Sequence, residues 1–279
     1  MAKKCLIIIV THNSNNYINW VIEGLESSNS NLSIRIIDSG STDTNYLYEL
    51  KTKHDFNIKE YGNIGFVAAN NKALTNISEY DWILFLNPDA RVEGKHLDTL
   101  LDTVSMEQFS DTGIFSVPLI RYDIEQKKSL NVYDSLGIAC NLVGKWSDLS
   151  TNEPVDDNHD KKNFSDVDAV CGAFMLVRKH TLEQCLDRKN NVGFERSYHM
   201  YKEDIELSLR VKKKGWNVKV INEISAFHCR GWKNNRSEIP YWARYHSAIN
   251  DVDVAWRYKI RALPYALAKY IWVKFLERK

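Results

Sequence analysis

Trp82-Ile83-Leu84-Phe85-Leu86-Asn87-Pro88-Asp89-Ala90 decides how the rest of the chain is read. Five consecutive large apolar residues are too few for a helix and show no polar alternation, so they predict a strand buried on both faces of a parallel sheet. Pro88 ends the strand, because proline donates nothing to a ladder and disfavours helix in the residue before it. Asp89 is thereby expected just past the carboxyl end of a central strand, where open α/β sheets bind ligands. Taken alone, Asn-Pro-Asp reads equally well as a chain reversal. The neighbouring segments favour the first reading, since apolar strands elsewhere in the chain also end in polar or acidic clusters.

Cys5 to Val10 is a second apolar, β-branched run, and it ends in Thr11-His12-Asn13-Ser14-Asn15-Asn16, a cluster of capping and turn residues. A helix over about Tyr17–Glu26 follows, with Tyr17, Trp20, Val21 and Leu25 at helical spacing. Leu32 to Ile37 is the next strand, closed by Asp38-Ser39-Gly40-Ser41-Thr42-Asp43, again with a carboxylate at its end. A helix from Asn45 to Lys53, a short strand from Phe56 to Tyr61, and the loop Gly62-Asn63-Ile64-Gly65-Phe66 lead into a helix through Ala68, Ala69 and Leu74. The alternation predicts a βαβ series with a parallel sheet and its ligand-side loops on one edge. No G-x-G-x-x-G follows the first strand and no G-x-x-x-x-G-K-S/T occurs. A bound nucleotide would therefore be held by loop carboxylates, amide side chains and a metal.

From Arg121 to Asp166 the pattern weakens, with Asp156 to Lys162 its most hydrophilic part, and it is expected to form an exposed insertion or acceptor-side loop. Regularity returns at Val167 to Arg178, where small residues beside large apolar ones suggest a strand or tight turn against a ligand. Tyr198 to Arg210 reads as a helix with the adjacent acids Glu203 and Asp204 in its first turn, a common helix-end arrangement. Gly215 closes it, Val218 to Ile221 make another strand, and Ala226-Phe227-His228 ends a further short run.

The chain has 279 residues and a formal net charge of +1, which gives no global drive toward nucleic acid. Five scattered cysteines without Cys-x-x-Cys spacing fit a reduced cytoplasm. No apolar run approaches the ~20 residues that a membrane span needs. From Trp232 onward, however, aromatic residues (Trp242, Tyr245, Trp256, Tyr258, Trp272, Phe275) interleave with basic ones (Arg244, Arg257, Lys259, Arg261, Lys269, Lys274), with a break before Pro264. That composition suggests helices lying peripherally on an anionic membrane; helices packed against their own domain, or against a second copy in a homodimer, are the alternative.

Together, Ile8-Ile9-Val10-Thr11-His12-Asn13-Ser14, Ile37 to Asp43, Gly62 to Phe66 with Asn70-Asn71, Phe85-Leu86-Asn87-Pro88-Asp89, Cys171 to Val177, and Glu203-Asp204 before a helix resemble the inverting family-two nucleotide-sugar glycosyltransferases. Within that family the chain looks most like bacterial rhamnosyltransferases that build O-antigen and other cell-surface polysaccharides. The resemblance covers residues 1–230 and implies one nucleotide-diphospho-sugar-binding α/β domain of the kind called GT-A, with residues 231–279 as a helical tail outside it. It implies that Thr11, Asn13 and Asp38 line the base and ribose pocket, with close backbone approach at Gly62, Asn63 and Gly65. Asp89 matches the last acid of the family's Asp-x-Asp motif, which meets a divalent metal (Mg²⁺ or Mn²⁺) on the diphosphate. Asn87 replaces the first acid. His228 matches a position where some relatives supply another ligand. Asp204 matches the catalytic base and Glu203 its neighbour.

The activity so implied is transfer of L-rhamnose from dTDP-rhamnose to a polyprenyl-diphosphate-linked glycan at the inner face of the cytoplasmic membrane. A UDP-hexose or UDP-galactofuranose donor on the same fold is the nearest rival. A catalytically silent nucleotide-sugar-binding subunit of an assembly complex is the rival from a different class.

Overall fold

In the computed structural model, which describes residues 3–155, 163–230 and 239–277, Trp82–Leu86 is the fourth strand and every one of its side chains is buried. The strands are β1 (Lys4–Thr11), β2 (Asn31–Ser39), β3 (Asp55–Tyr61), β4 (Trp82–Leu86), β5 (Ala90–Arg91), β6 (Thr112–Ser116) and β7 (Leu119–Asp123). They continue as β8 (Lys128–Ser135), β9 (Ile138–Cys140), β10 (Trp146–Asp148), β11 (Phe164–Asp166), β12 (Phe174–Arg178), β13 (Asn217–Ile221) and β14 (Ala226–His228). The α-helices are α1 (Ile18–Leu25), α2 (Asn45–Tyr48), α3 (Phe66–Ala73), α4 (Gly94–Thr103), α5 (Lys179–Gln184), α6 (Glu203–Lys213), α7 (Tyr241–Tyr258) and α8 (Leu263–Ile271).

Eight strands form the central sheet in the order β11-β13-β6-β12-β4-β1-β2-β3. The pairs β1–β2, β1–β4, β2–β3 and β6–β13 are parallel, while β12 runs antiparallel to both β4 and β6. Alternate residues of each strand point to opposite faces, so β1 and β4 supply two separate cores. Cys5, Ile7, Ile9, Trp82 and Leu84 pack with α1 and α4, whereas Leu6, Ile8, Ile83 and Phe85 pack with α3, α6 and the tail helices. Both faces are covered, which is why these strands are continuous apolar runs rather than alternating ones. The edge strand β3 does alternate between partly buried and exposed residues.

The stretch from Arg121 to Asp166 is not the exposed insertion that its polarity suggested. It supplies β8 to β11; β7 and β8 join β14 and β5 in a second, four-stranded sheet, and β9 pairs with β10. Tyr133, Ile138, Cys140 and Trp146 are buried there. Sequence polarity misleads because Asp134, fully buried, is charge-paired with residues far along the chain. Asp156 to Lys162 lie outside the described residues.

Two helices are shorter than periodicity suggested. α2 stops at Tyr48, because Leu47 is its only buried residue and Glu26 draws the chain off through Thr52 and the Lys53 amide. α6 starts at Glu203, after Tyr201 and Lys202 adopt left-handed backbone conformations (φ 70° and 69°).

Candidate active site

The carboxyl ends of β1, β2 and β4 open onto a cleft of about 370 Å³. Thr11, Asn13, Asn63, Gly65 and Asp89, all singled out from the sequence, line it. Asp38 and Gly62 do not. Asp38 is buried instead and ties two loops together, accepting from the Thr11 hydroxyl at 2.9 Å and from the Ser41 amide at 2.9 Å. Asn13 Oδ1 likewise accepts from the amide and hydroxyl of Thr42, so the β1 and β2 loops are one hydrogen-bonded unit before any ligand arrives.

Sequence reading missed His12, Tyr17, His199, Met200 and Trp242, which also line the cleft. The last three come from segments more than 100 residues downstream, for which no local pattern gives a signal. Gly65 explains why the downstream loop fits so closely. Its φ is +83°, and a Cβ there would sit 2.4 Å from ring atoms of His199, while the Val67 amide donates to the His199 carbonyl. Gly65→Ala is therefore expected to cost about 1–3 kcal/mol in backbone strain alone, to lower the melting temperature by about 2–4 °C per kcal/mol, and to weaken nucleotide binding by displacing His199. Unchanged melting and nucleotide affinity would refute this role.

At the far end of β4 the pairing β5–β14 brings His228 to Asp89, with Nε2 3.4 Å from Oδ1. The other ring nitrogen of His228 meets Asp134 Oδ2 at 2.8 Å. Burial would lower the His228 pKa, but Asp89 and Asp134 outweigh it and raise the group to about 9. Burial works on Asp134 in the opposite sense; there His228 and Arg230 prevail and hold the carboxyl down near 2. Arg230 continues the chain of charges, bridging Asp134 Oδ1 at 2.8 Å and Asp148 Oδ2 at 2.9 Å.

These groups fit a hard divalent cation in two respects. A metal-bound imidazole characteristically gives its second nitrogen to a carboxylate, as His228 does to Asp134. The buried Asn87 Oδ1, beside Asp89 in the same cleft, has no hydrogen-bond partner among the described residues. Among the described residues no cluster of three or more His, Cys, Asp or Glu side chains could hold an ion unaided. An ion here would complete its shell with phosphate and water oxygens, as Mg²⁺ commonly does.

Glu203 and Asp204 do not line the cleft, and their surroundings differ. Asp204 Oδ2 accepts from the Gly172 amide at 3.0 Å and Oδ1 from the Ile205 amide at 2.8 Å. Burial raises the Asp204 pKa and these two amides oppose the rise. Glu203 is more deeply placed, its Oε2 lacks a partner among the described residues, and burial together with the neighbouring Asp204 charge pushes its pKa well up. Because β12 is antiparallel, its starting loop Cys171–Ala173 lies at the carboxyl ends of its neighbours, which is how Gly172 reaches Asp204.

Comparison with known proteins gives this geometry a family. The model of glycosyl transferase family 2 matches residues 6–186. The chain belongs to that family. As a family 2 glycosyltransferase it is 28% identical over 250 residues to the rhamnosyltransferase WbbL of Escherichia coli K12, covering 86% of this chain and 88% of that one. It is 23% identical to the N-acetylglucosaminyl-diphospho-decaprenol L-rhamnosyltransferase of Mycobacterium tuberculosis H37Rv, over 87% of this chain and 81% of that one. The GT-A fold of this glycosyltransferase is shared with GalNAc-T7, crystallised with UDP, GalNAc and Mn²⁺ (TM-score 0.66, 12% identity, 96% of this chain on 51% of that one). It is shared also with the mannosyltransferase PcManGT of Pyrobaculum calidifontis, crystallised with GDP-Man and Mn²⁺ (TM-score 0.60, 14% identity, 99% of this chain on 71% of that one).

Proposed function

We propose that the enzyme transfers L-rhamnose from dTDP-rhamnose, with inversion, to a sugar hydroxyl of a polyprenyl-diphosphate-linked glycan. The observation that carries this reading is the placement of two chemically different carboxylate sites around one strand end: Asp89 with His228 at the tip of β4, and Asp204 held by the Gly172 amide. Its donor and acceptor are argued from the likeness to the two rhamnosyltransferases.

Thr11, Asn13, Asn63 and the Gly65 backbone would bound the nucleoside, with Asp38 locking the loops that carry the first two. Asp89, His228 and Asn87 would hold a divalent metal, which when bound neutralises charge growing on the departing diphosphate. The acceptor hydroxyl attacks the anomeric carbon as the bond to the diphosphate oxygen breaks, and Asp204 takes the hydroxyl proton. Glu203, disfavoured as an anion, stays protonated beside it and so spares Asp204 a second negative charge. One displacement inverts the centre, so a β-linked donor yields an α-rhamnoside.

The deciding experiment is a binding screen of the purified protein against nucleotide sugars with and without Mg²⁺ or Mn²⁺. Preference for dTDP-rhamnose is expected. Preference for a UDP-sugar would replace the donor, and absence of binding or transfer with every donor would favour a silent subunit.

We also propose that the protein sits peripherally on the cytoplasmic membrane. No described helix is long and apolar enough to cross one. α7 and α8 pack against the domain, Arg257 and Lys259 are ion-paired to it and Lys269 to Asp251 of α7, so these basic residues are less available than composition suggested. The large side chains that remain outward are mostly apolar, Ile260, Ile271, Trp272, Phe275 and Leu276, with the exposed Arg261 beside Ile260. Beside Ala262 lies the β9–β10 turn, whose Gly144 touches it and whose Leu142 is 89% exposed. Leu142 and Phe275 replaced together by Asp should reduce co-sedimentation with anionic vesicles more than tenfold, since burying each such side chain is worth about 1.5–3 kcal/mol. Equal sedimentation of variant and parent would return this face to an oligomer interface or plain surface.

A further inference from the structure

A second cavity, of about 250 Å³, lies between the start of α7 and α8. Its polar wall is formed by Tyr201, Arg230, Arg244, Ser247 and Lys269, closed by Ile239 and Ala243. Among the described residues three cations and no carboxylate line it, although the chain as a whole is nearly neutral. The acids that balance these cations stand behind them. Asp134 and Asp148 hold Arg230, Glu277 Oε2 lies 3.0 Å from Arg244 Nε, and Asp251 Oδ2 lies 2.5 Å from Lys269 Nζ. Lys269 is further fixed by Ser247 Oγ at 3.1 Å. The cationic heads are thus oriented before a ligand binds, which reduces the ordering cost of binding.

Position is as informative as charge. Tyr201 stands three residues before Asp204, and its ring lies 6.2 Å from that of Trp242, which lines the donor cleft. The cavity therefore adjoins the cleft on the side of the first turn of α6. On its other side α8 turns Lys269 inward and Leu267 and Ile271 outward, so an anion held here would lie under an apolar surface. A volume below the about 300–1,000 Å³ of sites for drug-sized molecules suits a small charged group. Guanidinium and ammonium donors converging on one small space are the chemistry that recognises phosphate.

We propose that this cavity binds the diphosphate of the lipid-linked acceptor, with Arg230, Arg244 and Lys269 as its ligands. This rests on the acceptor class proposed above. It gives the enzyme two separate diphosphate sites, one for the donor at Asp89 and one for the acceptor beyond Tyr201.

The test is calorimetric titration of the full chain with farnesyl diphosphate, inorganic diphosphate, farnesol and, separately, a nucleoside diphosphate. Arg244→Gln and Lys269→Met should each weaken farnesyl diphosphate and inorganic diphosphate about tenfold while leaving nucleoside diphosphate affinity within about twofold. Farnesol should bind far more weakly than its diphosphate. Loss of both ligand classes in parallel, or of neither, would overturn the proposal, as would farnesol binding as tightly as farnesyl diphosphate. Should either variant melt, photolabelling of the unaltered protein by a photoreactive farnesyl diphosphate decides: labels at Ala243, Arg244, Ser247 or Lys269 support the site, and labels confined to the donor cleft, Trp242 included, refute it. Failure of any nucleoside diphosphate to bind would count against the reading of the cleft, and the labelling result would still judge the cavity.

Discussion

Asp204→Asn should lower turnover by a factor of about 10²–10⁴, the usual cost of removing a general base, with the donor dissociation constant nearly unchanged. Asparagine keeps the size, but its single carbonyl oxygen can accept from the Gly172 or the Ile205 amide and not from both, so a melting measurement accompanies the kinetics to separate loss of the proton acceptor from local loosening. Glu203→Gln is the comparison. Glu203 already favours its protonated form, so the amide substitutes for a neutral acid and the loss should be much smaller. The pH dependence has a definite sign. Asp204 must be ionised to act, and burial raises its pKa, so kcat should climb as pH rises through a value above that of an ordinary aspartate. Since Glu203 is already neutral while Asp204 titrates, Glu203→Gln should leave that limb nearly unmoved. Near-normal turnover in Asp204→Asn with the large loss in Glu203→Gln would reverse the assignment, and lost donor binding in Asp204→Asn would make it a sugar-holding residue.

Asp89→Ala should abolish transfer and, with it, any calorimetric signal for Mn²⁺ in the presence of nucleoside diphosphate. The fold should survive, since Asp89 is part-exposed at the tip of β4 and accepts no hydrogen bond that orders a strand; it is the Asp89 carbonyl, retained in alanine, that accepts from the Cys229 amide. His228→Ala should weaken metal binding less, because Asp89 and the diphosphate remain. Full turnover in excess EDTA would exclude the metal and leave Asp89 as a partner of His228 alone.

Much of this was legible because strands buried on both faces announce themselves as unbroken apolar runs, and the strand-end motifs at Thr11, Asp38 and Asp89 are local. Position along the chain was legible; reach was not. Asp38 appeared as a ligand-facing carboxylate because it ends a strand, yet its oxygens are engaged by Thr11 and Ser41. Asp134 and Asp148 sat in a stretch whose polarity resembled a solvated loop, and only pairing with His228 and Arg230 gives them a place in the site. The left-handed pair Tyr201–Lys202, which aims the two acids, has neither glycine nor asparagine to announce it. In the tail, the break before Pro264 was readable from proline chemistry, since α8 opens with it, whereas the inward turn of its cations depends on Asp168 and Glu206 far upstream and on Asp251 of α7.

The reversed strand β12 also sets a clock on biosynthesis. β4 pairs with β1 on one edge, but its other edge waits for Phe174–Arg178, and 174 − 86 = 88 residues separate the end of β4 from the start of that partner. At a ribosomal rate of about 5–20 residues per second, Leu84 and Phe85 spend roughly 4–18 s beside an open, apolar edge. Nascent chains cut short before Phe174 should be caught by chaperones or aggregate, and slowing synthesis upstream of β12 should lower the soluble yield of an enzyme whose finished fold is unaltered.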